Sequence, residues 1–418
     1  MARVVVLTAG SQGDVAPFLG LGQRLTEAGH RVTIATTARF APMVAAAGLL
    51  FHELPSSDPR EVAASEEGKA ATRAGVRGML ATTRTAAAVM RRPIPAMIDA
   101  VADADVVLCT PVTSLLATPI AEARRAGLVV LTLQPTEPTR RHGPLVLGGR
   151  NLGGRLNLAA AKLLARLGIR MFTGLVRELR SDLGLSRAPG AGYQPGELRV
   201  LHGISPSVYP RPADWRAGAE VVGYWWPPAP AAGWEPTPAL AEFLDRGPKP
   251  VYIGFGSMGF HHADRIGSAV SQALRLTGRR AIVSRGWAEI DIEGPDVLTI
   301  DDVPHQWLFP RVAAVVHHAG AGTTAAGLRA GVPAVPVPFA YDQPFWAHRL
   351  VDLGVAPHAV PAKHLTPKRL ATAINAATDP THLDAATATA RRLADEDGAR
   401  RVLELITTLE TGTPATAQ

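Results

Sequence analysis

Short runs of β-branched residues alternate along the chain with longer segments in which apolar residues recur every three or four positions. The short runs are typical of buried parallel strands, and the longer segments are typical of amphipathic helices. The first unit comprises a strand at Arg3 to Thr8, a helix at Val15 to Ala28 and a strand at Arg31 to Thr36. Parallel strands joined by helices predict an α/β protein with a largely parallel sheet.

The same alternation continues to the C-terminal half of the chain. Further strands are predicted at Asp105 to Cys109, Leu128 to Leu133, Leu198 to His202, Val221-Val222, Pro250 to Phe255, Ala281 to Ser284, Val312 to Val316 and Ala334 to Val337. A chain of 418 residues exceeds one hydrophobic core. The alternation pauses at a proline- and alanine-rich stretch, residues 224–238, which has the composition of a linker.

Two similar α/β domains are therefore predicted, residues 1–223 and residues 239–418, the second ending in a C-terminal helix at Asp395 to Leu409. Two Rossmann-like domains with parallel sheets that face each other enclose a cleft. Ligands of such sheets lie beyond the carboxyl ends of the strands. The sequence thus predicts an active site in the cleft between the domains, with one ligand held from both sides.

The segment from Asn157 to Leu183 is the longest amphipathic pattern of the first half. Seven apolar residues lie near one face: Leu158, Leu163, Leu164, Leu167, Met171, Leu175 and Leu179. Five of its charged residues are basic and only Glu178 and Asp182 are acidic. Such a helix can rest on a membrane surface. The favoured interpretation is a core helix whose basic face is solvated.

Composition narrows the class of protein. The formal net charge is +7, but the arginines are spread along the chain and no repeat combines aromatic with basic residues, so no nucleic-acid partner is predicted. Cys109 is the single cysteine, which leaves no disulfide framework or cysteine metal cluster, and it is expected to be buried. No apolar run approaches the ~20 residues of a membrane span, and the chain starts directly with a strand, so a cytoplasmic protein is predicted.

Two glycine-bearing turns follow predicted strands in the second half, Gly254 to Ser257 and His317 to Thr324. A turn of this kind aims backbone N–H groups and a helix N-terminus at one spot, where a phosphate binds. Ser257, Thr323 and His318 can add side-chain donors. Glycine after a strand can also serve only a tight turn. The G-x-x-x-x-G-K-[ST] pattern of ATPases is absent.

The turn after the first strand, Ala9 to Asp14, carries the other candidate residue. Its Gly10-x-x-Gly13 spacing lacks the full dinucleotide fingerprint, and the second strand does not end in an acid, so an NAD enzyme is disfavoured. Arg39 is the one residue that suits an NADP enzyme. Asp14 lies at the edge of the sheet where ligands bind, and its alternative role is to cap the helix that opens at Val15.

Three motifs together resemble a known family. They are His317 to Thr324, Pro338 to Trp346 and Val303 to Pro310, and a fourth, Ala9 to Pro17, matches the N-terminal motif of one branch. The chain resembles the inverting UDP-sugar-dependent glycosyltransferases with two Rossmann-like domains (the GT-B fold). Within them it is most similar to the sterol-glucosyltransferase-like and glycopeptide-antibiotic glucosyltransferase branch.

The resemblance implies a role for each matching residue. It places the diphosphate on His318, Ser257 and the N–H groups of Gly320, Gly322 and Thr323. It places the hexose hydroxyls on Asp342 and Gln343, and the uracil beside Val303, His305 and Trp287, with Gly13 also at the donor site. The plant-type members carry a Glu where this chain has Ala326, so ribose recognition must differ. They carry a His where this chain has Asp14, which makes Asp14 the predicted catalytic base.

The function implied is inverting transfer of a hexose, glucose from UDP-glucose, to a hydroxyl of a lipophilic acceptor such as a sterol or polyketide-type natural product. Neither a metal site nor a cofactor beyond the donor is predicted. Weak peripheral contact with a membrane is a further expectation, and the sequence leaves the oligomeric state open. Two alternatives stay open. One is a nucleotide-sugar or anionic-lipid binding protein without catalysis, and the other is a UDP-sugar epimerase on the same scaffold.

Overall fold

The structure is a computed structural model that describes residues 1–55, 89–230, 233–256, 258, 263–287 and 289–410. Its described strands form two separate sheets, one in each half of the chain. The first sheet contains β1 Arg3–Leu7, β2 Arg31–Thr36, β3 Leu50–Glu53, β4 Val106–Cys109, β5 Gly127–Thr132, β6 Arg199–His202 and β7 Ala219–Val221. The second contains β8 Val251–Gly254, β9 Ala281–Ser284, β10 Val297–Ile300, β11 Ala314–His317 and β12 Ala334–Pro336.

Helices connect the strands within each half. Those of the first half are α1 Gln12–Glu27, α2 Ala41–Ala46, α3 Ile94–Ala100, α4 Pro111–Arg124 and α5 Gly154–Asp182. Those that follow are α6 Pro238–Asp245, α7 Ala263–Thr277, α8 His305–Leu308, α9 Ala321–Ala330, α10 Gln343–Asp352, α11 Pro367–Ala377, α12 Pro380–Ala394 and α13 Arg400–Glu410.

Every strand pairing in the two sheets is parallel. The strand orders are β3-β2-β1-β4-β5-β6-β7 and β10-β9-β8-β11-β12. In both sheets the order reverses at the first strand of the half, which is the switch point where doubly wound sheets bind ligands. The predicted α/β class with two Rossmann-like parallel sheets is confirmed.

The two strands that the sequence pattern missed, β3 and β10, are edge strands. Their side chains are mostly exposed or half-buried. By contrast the central strands β4, β8 and β11 are buried at every position. An edge strand needs no continuous apolar run, because solvent covers part of it, and so its sequence carries a weaker signal. Cys109, at the end of β4, is buried as predicted.

The chain passes from one half to the other twice, and the two connecting segments contact each other. Gly223 at the start of the linker lies against Gly398, with only 3.1 Å between the position of a Cβ at Gly223 and the Gly398 backbone. After Gly398, helix α13 packs Val402 and Ile406 into the core of the first sheet. The C-terminal helix, which the sequence pattern assigned to the second domain, thus belongs structurally to the first. The boundaries at 223 and 239 stay a prediction.

Helix α5 differs from its favoured interpretation as a core helix. Leu175 and Leu179 are buried in the core of the first domain, whereas Leu163 and Leu167 are exposed. The predicted apolar face is therefore fully buried only at its C-terminal end, while Leu158, Leu164 and Met171 are half-buried. Among the helices that the structure describes, none combines the length and apolar character required to cross a bilayer.

Candidate active site

The carboxyl ends of β1 and β11 lead into turns that meet across the cleft between the domains. Gly13 in the first turn of α1 lies opposite Gly322 in the first turn of α9, since a Cβ at Gly322 would be 4.0 Å from the Cα of Gly13. The carboxylates of Asp14 and Asp342 are close enough that the charge of Asp14 raises the pKa of Asp342. The structure thus brings together the predicted base and the predicted donor site, which are some three hundred residues apart in sequence.

Asp14 is held by the turn that precedes α1. The backbone N–H and the hydroxyl of Ser11 both donate to Oδ2 of Asp14 at 2.8 Å. This leaves Oδ1 as the oxygen that can accept a proton from a bound molecule. A Cβ at Gly10 would lie 2.4 Å from Oδ2, so only glycine admits the carboxylate at this position. The helix opens at Gln12 with Ser11 as its N-cap. Asp14 is the third helical residue and completes a capping box by accepting from the Ser11 N–H, so it also has a capping role.

Two effects act in opposite directions on the pKa of Asp14. Burial is the larger and raises the pKa, while the hydrogen bonds from Ser11 and the charge of Arg39 lower it. The Asp14 side chain is half-buried rather than fully enclosed. A carboxyl group with a raised pKa is a stronger base than a free aspartate, which has a pKa of about 3.9.

The imidazole of His318 lies between the two glycine-bearing turns. A Cβ at Gly320 would be 2.3 Å from its Nε2, and a Cβ at Gly256 would be 3.3 Å from its Cε1. Its buried Nδ1 has no hydrogen-bond partner in the structure. Burial lowers the pKa of His318 to about 4, so the ring is neutral near pH 7. A neutral ring with an unpartnered nitrogen can donate one hydrogen bond to a ligand between these turns.

Helix α9 begins at this ring and points its N-terminus into the cleft. Its first intrahelical bond runs from the N–H of Thr324 to the carbonyl of Gly320, so helix geometry leaves the N–H groups of Gly322 and Thr323 without helical partners. Ala319 before the helix has φ +61° and is fully buried. A strained residue of this kind costs about 1–3 kcal/mol and is typical of binding turns. His317 instead has a structural role, since its Nδ1 accepts from the N–H of Ala319.

Asp342 and Gln343 start helix α10 beside this turn. The carboxylate of Asp342 accepts from the indole N–H of Trp346 at 3.0 Å. Burial raises the pKa of Asp342, with a smaller contribution from Asp14 in the same direction. The side-chain oxygen of Gln343 accepts from the N–H groups of Phe339 and Ala340, which leaves its amide nitrogen as the donor end. One acceptor group and one donor group side by side suit the recognition of sugar hydroxyls.

The residues predicted to flank the uracil lie on the other side of His318. His305 stacks on Phe309 with ring centres 4.3 Å apart, and burial lowers the pKa of His305 to about 4. Val303, two residues earlier, packs against the same apolar cluster as Phe309. The backbone N–H of Trp287 donates to the carbonyl of Gly256, which fixes it beside the first glycine turn. Ser257 lies outside the described residues.

Two polar residues at the site were not predicted. Arg39 donates to the carbonyl of Gly10 at 2.6 Å, and its guanidinium lies 5.9 Å from the centre of the Trp287 ring in the other domain. Gln134, just beyond β5 of the first domain, lies near the Asp342 carboxylate and lowers its pKa. Both follow the carboxyl end of a predicted parallel strand, and that position is the signal that could have found them.

An aromatic contact joins the domains next to Asp342. The ring of Phe345 lies 4.8 Å from that of His142 and 5.6 Å from that of Tyr209, both in the first domain. The same ring lies against Gly149. Phe345 is three residues from Asp342, so one short segment carries both this carboxylate and a contact with the first domain. Across the described ranges, no group of three or more His, Cys, Asp or Glu side chains is arranged to hold a metal ion.

Models of known families match a segment in each half of the chain. The model of the glycosyltransferase family 28 N-terminal domain matches residues 4–114. The model of the erythromycin biosynthesis protein CIII-like C-terminal domain matches residues 288–409. The first match contains Asp14 and Arg39, and the second contains the donor turn and Asp342.

Curated relatives match along almost the whole chain. The sterol 3-beta-glucosyltransferase UGT80A2 of Arabidopsis thaliana is 35% identical over 95% of this chain, and a sterol 3-beta-glucosyltransferase of Pichia angusta is 30% identical over 97%. The chain spans 64% and 33% of the lengths of these two relatives.

Solved glycosyltransferase structures share the fold. The calicheamicin glycosyltransferase CalG4 is 20% identical with a TM-score of 0.69, covering 99% of this chain and all of that one. The glycotransferase of kitacinnamycin is also 20% identical, with a TM-score of 0.70, covering 98% of this chain and 99% of that one. At this identity the likeness concerns the fold alone.

Proposed function

Because the chain belongs to the glycosyltransferase superfamily with two Rossmann-like domains, in its sterol-glucosyltransferase-like branch, we propose that it transfers a hexose from a nucleotide-sugar to a hydroxyl of a lipophilic acceptor. The donor is UDP-glucose, and the acceptor is a sterol or polyketide-type natural product. The observation that carries this proposal is the placement of Asp14 opposite the glycine turn and Asp342 across a closed cleft. Donor binding belongs to residues 239–418 and acceptor binding to residues 1–223.

The donor diphosphate binds at the start of α9. The N–H groups of Gly322 and Thr323 donate to its oxygens, and His318 adds its unpartnered ring nitrogen. Asp342 and Gln343 bind the hexose hydroxyls. The remaining donor residues keep the roles that the family resemblance implies. The Gly320 N–H and the Ser257 hydroxyl bind the diphosphate, Gly13 lies at the donor site, and the uracil lies beside the residues Val303, His305 and Trp287.

Arg39 supplies positive charge from the opposite domain. The diphosphate is an anion that enters a cleft already holding the carboxyl groups of Asp14 and Asp342, so a cation is required to offset the repulsion. His318 is neutral near pH 7, and Arg285 beside the first turn is paired with Asp291 and Asp301. The Arg39 guanidinium lies between Gly10 and Trp287, at the mouth of the donor site.

The transfer follows from these positions. Oδ1 of Asp14 takes the proton of the acceptor hydroxyl as its oxygen forms a bond to the anomeric carbon. The bond from that carbon to the phosphate oxygen breaks on the opposite face, and its electron pair leaves with the diphosphate. Donors at the start of α9 and the charge of Arg39 stabilise the leaving group, which is the larger electrostatic contribution to the transition state. Attack from the face opposite the leaving group inverts the configuration.

Screening acceptors tests this proposal against its alternatives. The purified protein is incubated with UDP-glucose or TDP-glucose and with sterol, macrolide, polyphenol or glycopeptide acceptors. The products are identified by mass spectrometry. A glycosyltransferase releases nucleoside diphosphate and adds a hexose to one acceptor class. A binding protein binds UDP without release whatever acceptor is offered. An epimerase converts the donor when no acceptor is present. Either of the last two results overturns the proposal.

A further inference from the structure

The N-terminal two thirds of helix α5 and the loop before it form an apolar surface that no described element covers. Of the thirteen most exposed large apolar side chains in the described part of the chain, seven lie between residues 146 and 169. Leu156 and Leu163 are the most exposed on the helix, at 63% and 57%. Apolar side chains clustered at the surface in this way indicate an interaction site.

The spacing of these leucines places them in one stripe. Leu156, Leu163 and Leu167 are seven and four residues apart, intervals that repeat on one face of a helix. They lie beside the face that packs Leu175 and Leu179 into the core, so the stripe is a flank of the helix that remains in solvent.

A basic stripe runs directly beside the leucines. Arg155, Lys162 and Arg166 each precede one of the three leucines, and Arg170 continues the same row. All four side chains are exposed. From residue 154 to residue 177 the helix contains no acidic residue. An apolar stripe flanked by cations is the pattern of a helix that lies in the interface of an anionic membrane.

The surface continues to the mouth of the cleft. The loop that leads into α5 exposes Val146, Leu147 and Leu152. Between them Gly148 and Gly149 lie against Pro344 and Phe345, immediately after the pair Asp342-Gln343. A molecule leaving a bilayer at this surface thus enters the cleft beside the predicted sugar site.

From these observations we propose that the surface formed by residues 146–170 docks on an anionic lipid bilayer and receives the lipophilic acceptor from it. This inference rests on the proposed function for its acceptor, but the docking itself requires no catalysis. A second copy of the chain fits the surface less well, because a symmetric contact would place the basic stripe of one copy against that of the other.

Vesicle flotation tests the proposal on the full-length chain. We expect binding to vesicles of phosphatidylcholine mixed with phosphatidylglycerol, and little binding to phosphatidylcholine alone. The triple variant Lys162→Gln, Arg166→Gln, Arg170→Gln should weaken binding by about two orders of magnitude, since each basic side chain at an anionic surface contributes about a factor of five. The matched control Lys363→Gln, Lys368→Gln, Arg391→Gln removes the same charge from exposed positions of the other half and should bind as the wild type does.

A second set of variants isolates the apolar contribution. The triple variant Leu156→Ser, Leu163→Ser, Leu167→Ser keeps the net charge of the helix and changes only exposed side chains. It should also abolish flotation. Three results overturn the proposal: the wild type does not float with the vesicles, the two charge variants lose binding equally, or the leucine variant floats normally. A wild-type dimer that the leucine variant converts to a monomer also overturns it, since the surface would then be an interface between copies. UDP binding by calorimetry is measured in parallel, and its absence contradicts the donor site while leaving the docking result standing.

Discussion

At the scale of residues, the Asp14 carboxyl group is held where burial and hydrogen bonding oppose each other. Burial raises its pKa and the two bonds from Ser11 lower it, with burial the larger effect. A catalytic base is active only in its ionised form, so activity falls as the pH falls through the pKa of Asp14. Because that pKa is raised, the loss occurs at higher pH than for a free aspartate, whose pKa is about 3.9.

Ser11→Ala should move this loss of activity further upward. The substitution removes the hydroxyl that donates to the ionised carboxylate and keeps the backbone N–H, so the pKa of Asp14 rises again. One hydrogen bond to a charged group corresponds to a rise of about one pH unit in the acidic limb of kcat/KM. Ser11→Thr keeps a hydroxyl and serves as the control. An unchanged acidic limb in the alanine variant contradicts the assignment of Asp14 as base.

Arg39→Gln should weaken binding of UDP about tenfold and leave binding of uridine unchanged, as measured by calorimetry. A guanidinium that contacts the diphosphate contributes a charge-assisted hydrogen bond to the binding of UDP. Uridine has no phosphate and cannot form this bond, so its affinity does not depend on the guanidinium. Arg31→Gln is the matched control, because Arg31 is an exposed arginine at the start of β2, the strand whose far end leads to Arg39. Equal losses for UDP and uridine would assign to Arg39 a role in folding only.

At the scale of elements, the joint between the domains is packed. Trp225 of the linker packs against Phe18 of α1 with the two rings tilted, and it donates its indole N–H to the carbonyl of Gly398. A Cβ at Gly20 of α1 would lie 1.8 Å from the carbonyl oxygen of Trp226. The described part of the linker is therefore a fixed support for the domains and not a loose tether.

Gly20→Ala should lower the free energy of unfolding by about 1–3 kcal/mol, because the added methyl group collides with linker backbone. Urea denaturation followed by circular dichroism measures the change. Gly168→Ala in α5 is the control, since nothing lies within 4 Å of the added atom and alanine favours a helix. Equal midpoints for the two variants would show that the linker does not pack on α1 in solution.

Sequence pattern predicted the central strands well because buried parallel strands require continuous apolar runs. It missed the edge strands β3 and β10, where solvent removes that requirement. It placed α13 with its neighbours in sequence, whereas the position of that helix depends on a chain crossing at Gly398. Motif residues such as Asp14 and His318 were predicted by their pattern. Arg39 and Gln134 were not, because what makes them part of the site is proximity to residues of the other domain.

At the scale of the whole molecule, the site consists of two halves that the chain brings together. The proposed base lies in the turn after β1, and the proposed donor residues lie in turns after β8, β11 and β12. Phe345, three residues after Asp342, contacts His142 and Tyr209 of the first domain. The proposed transfer therefore requires both domains, whereas the proposed nucleotide binding depends mainly on the second.

Asp14→Asn tests this division most directly. Asparagine keeps the size of the side chain but cannot take the acceptor proton, and it lies outside the predicted contacts to the nucleotide. We expect hexose transfer to fall by at least about a hundredfold while the affinity for UDP, measured by calorimetry on the same preparation, is not reduced, because the substitution removes a negative charge from the cleft. Transfer at the wild-type rate, or a loss of UDP affinity as large as the loss of transfer, would contradict the assignment of Asp14 as the base that faces the donor site.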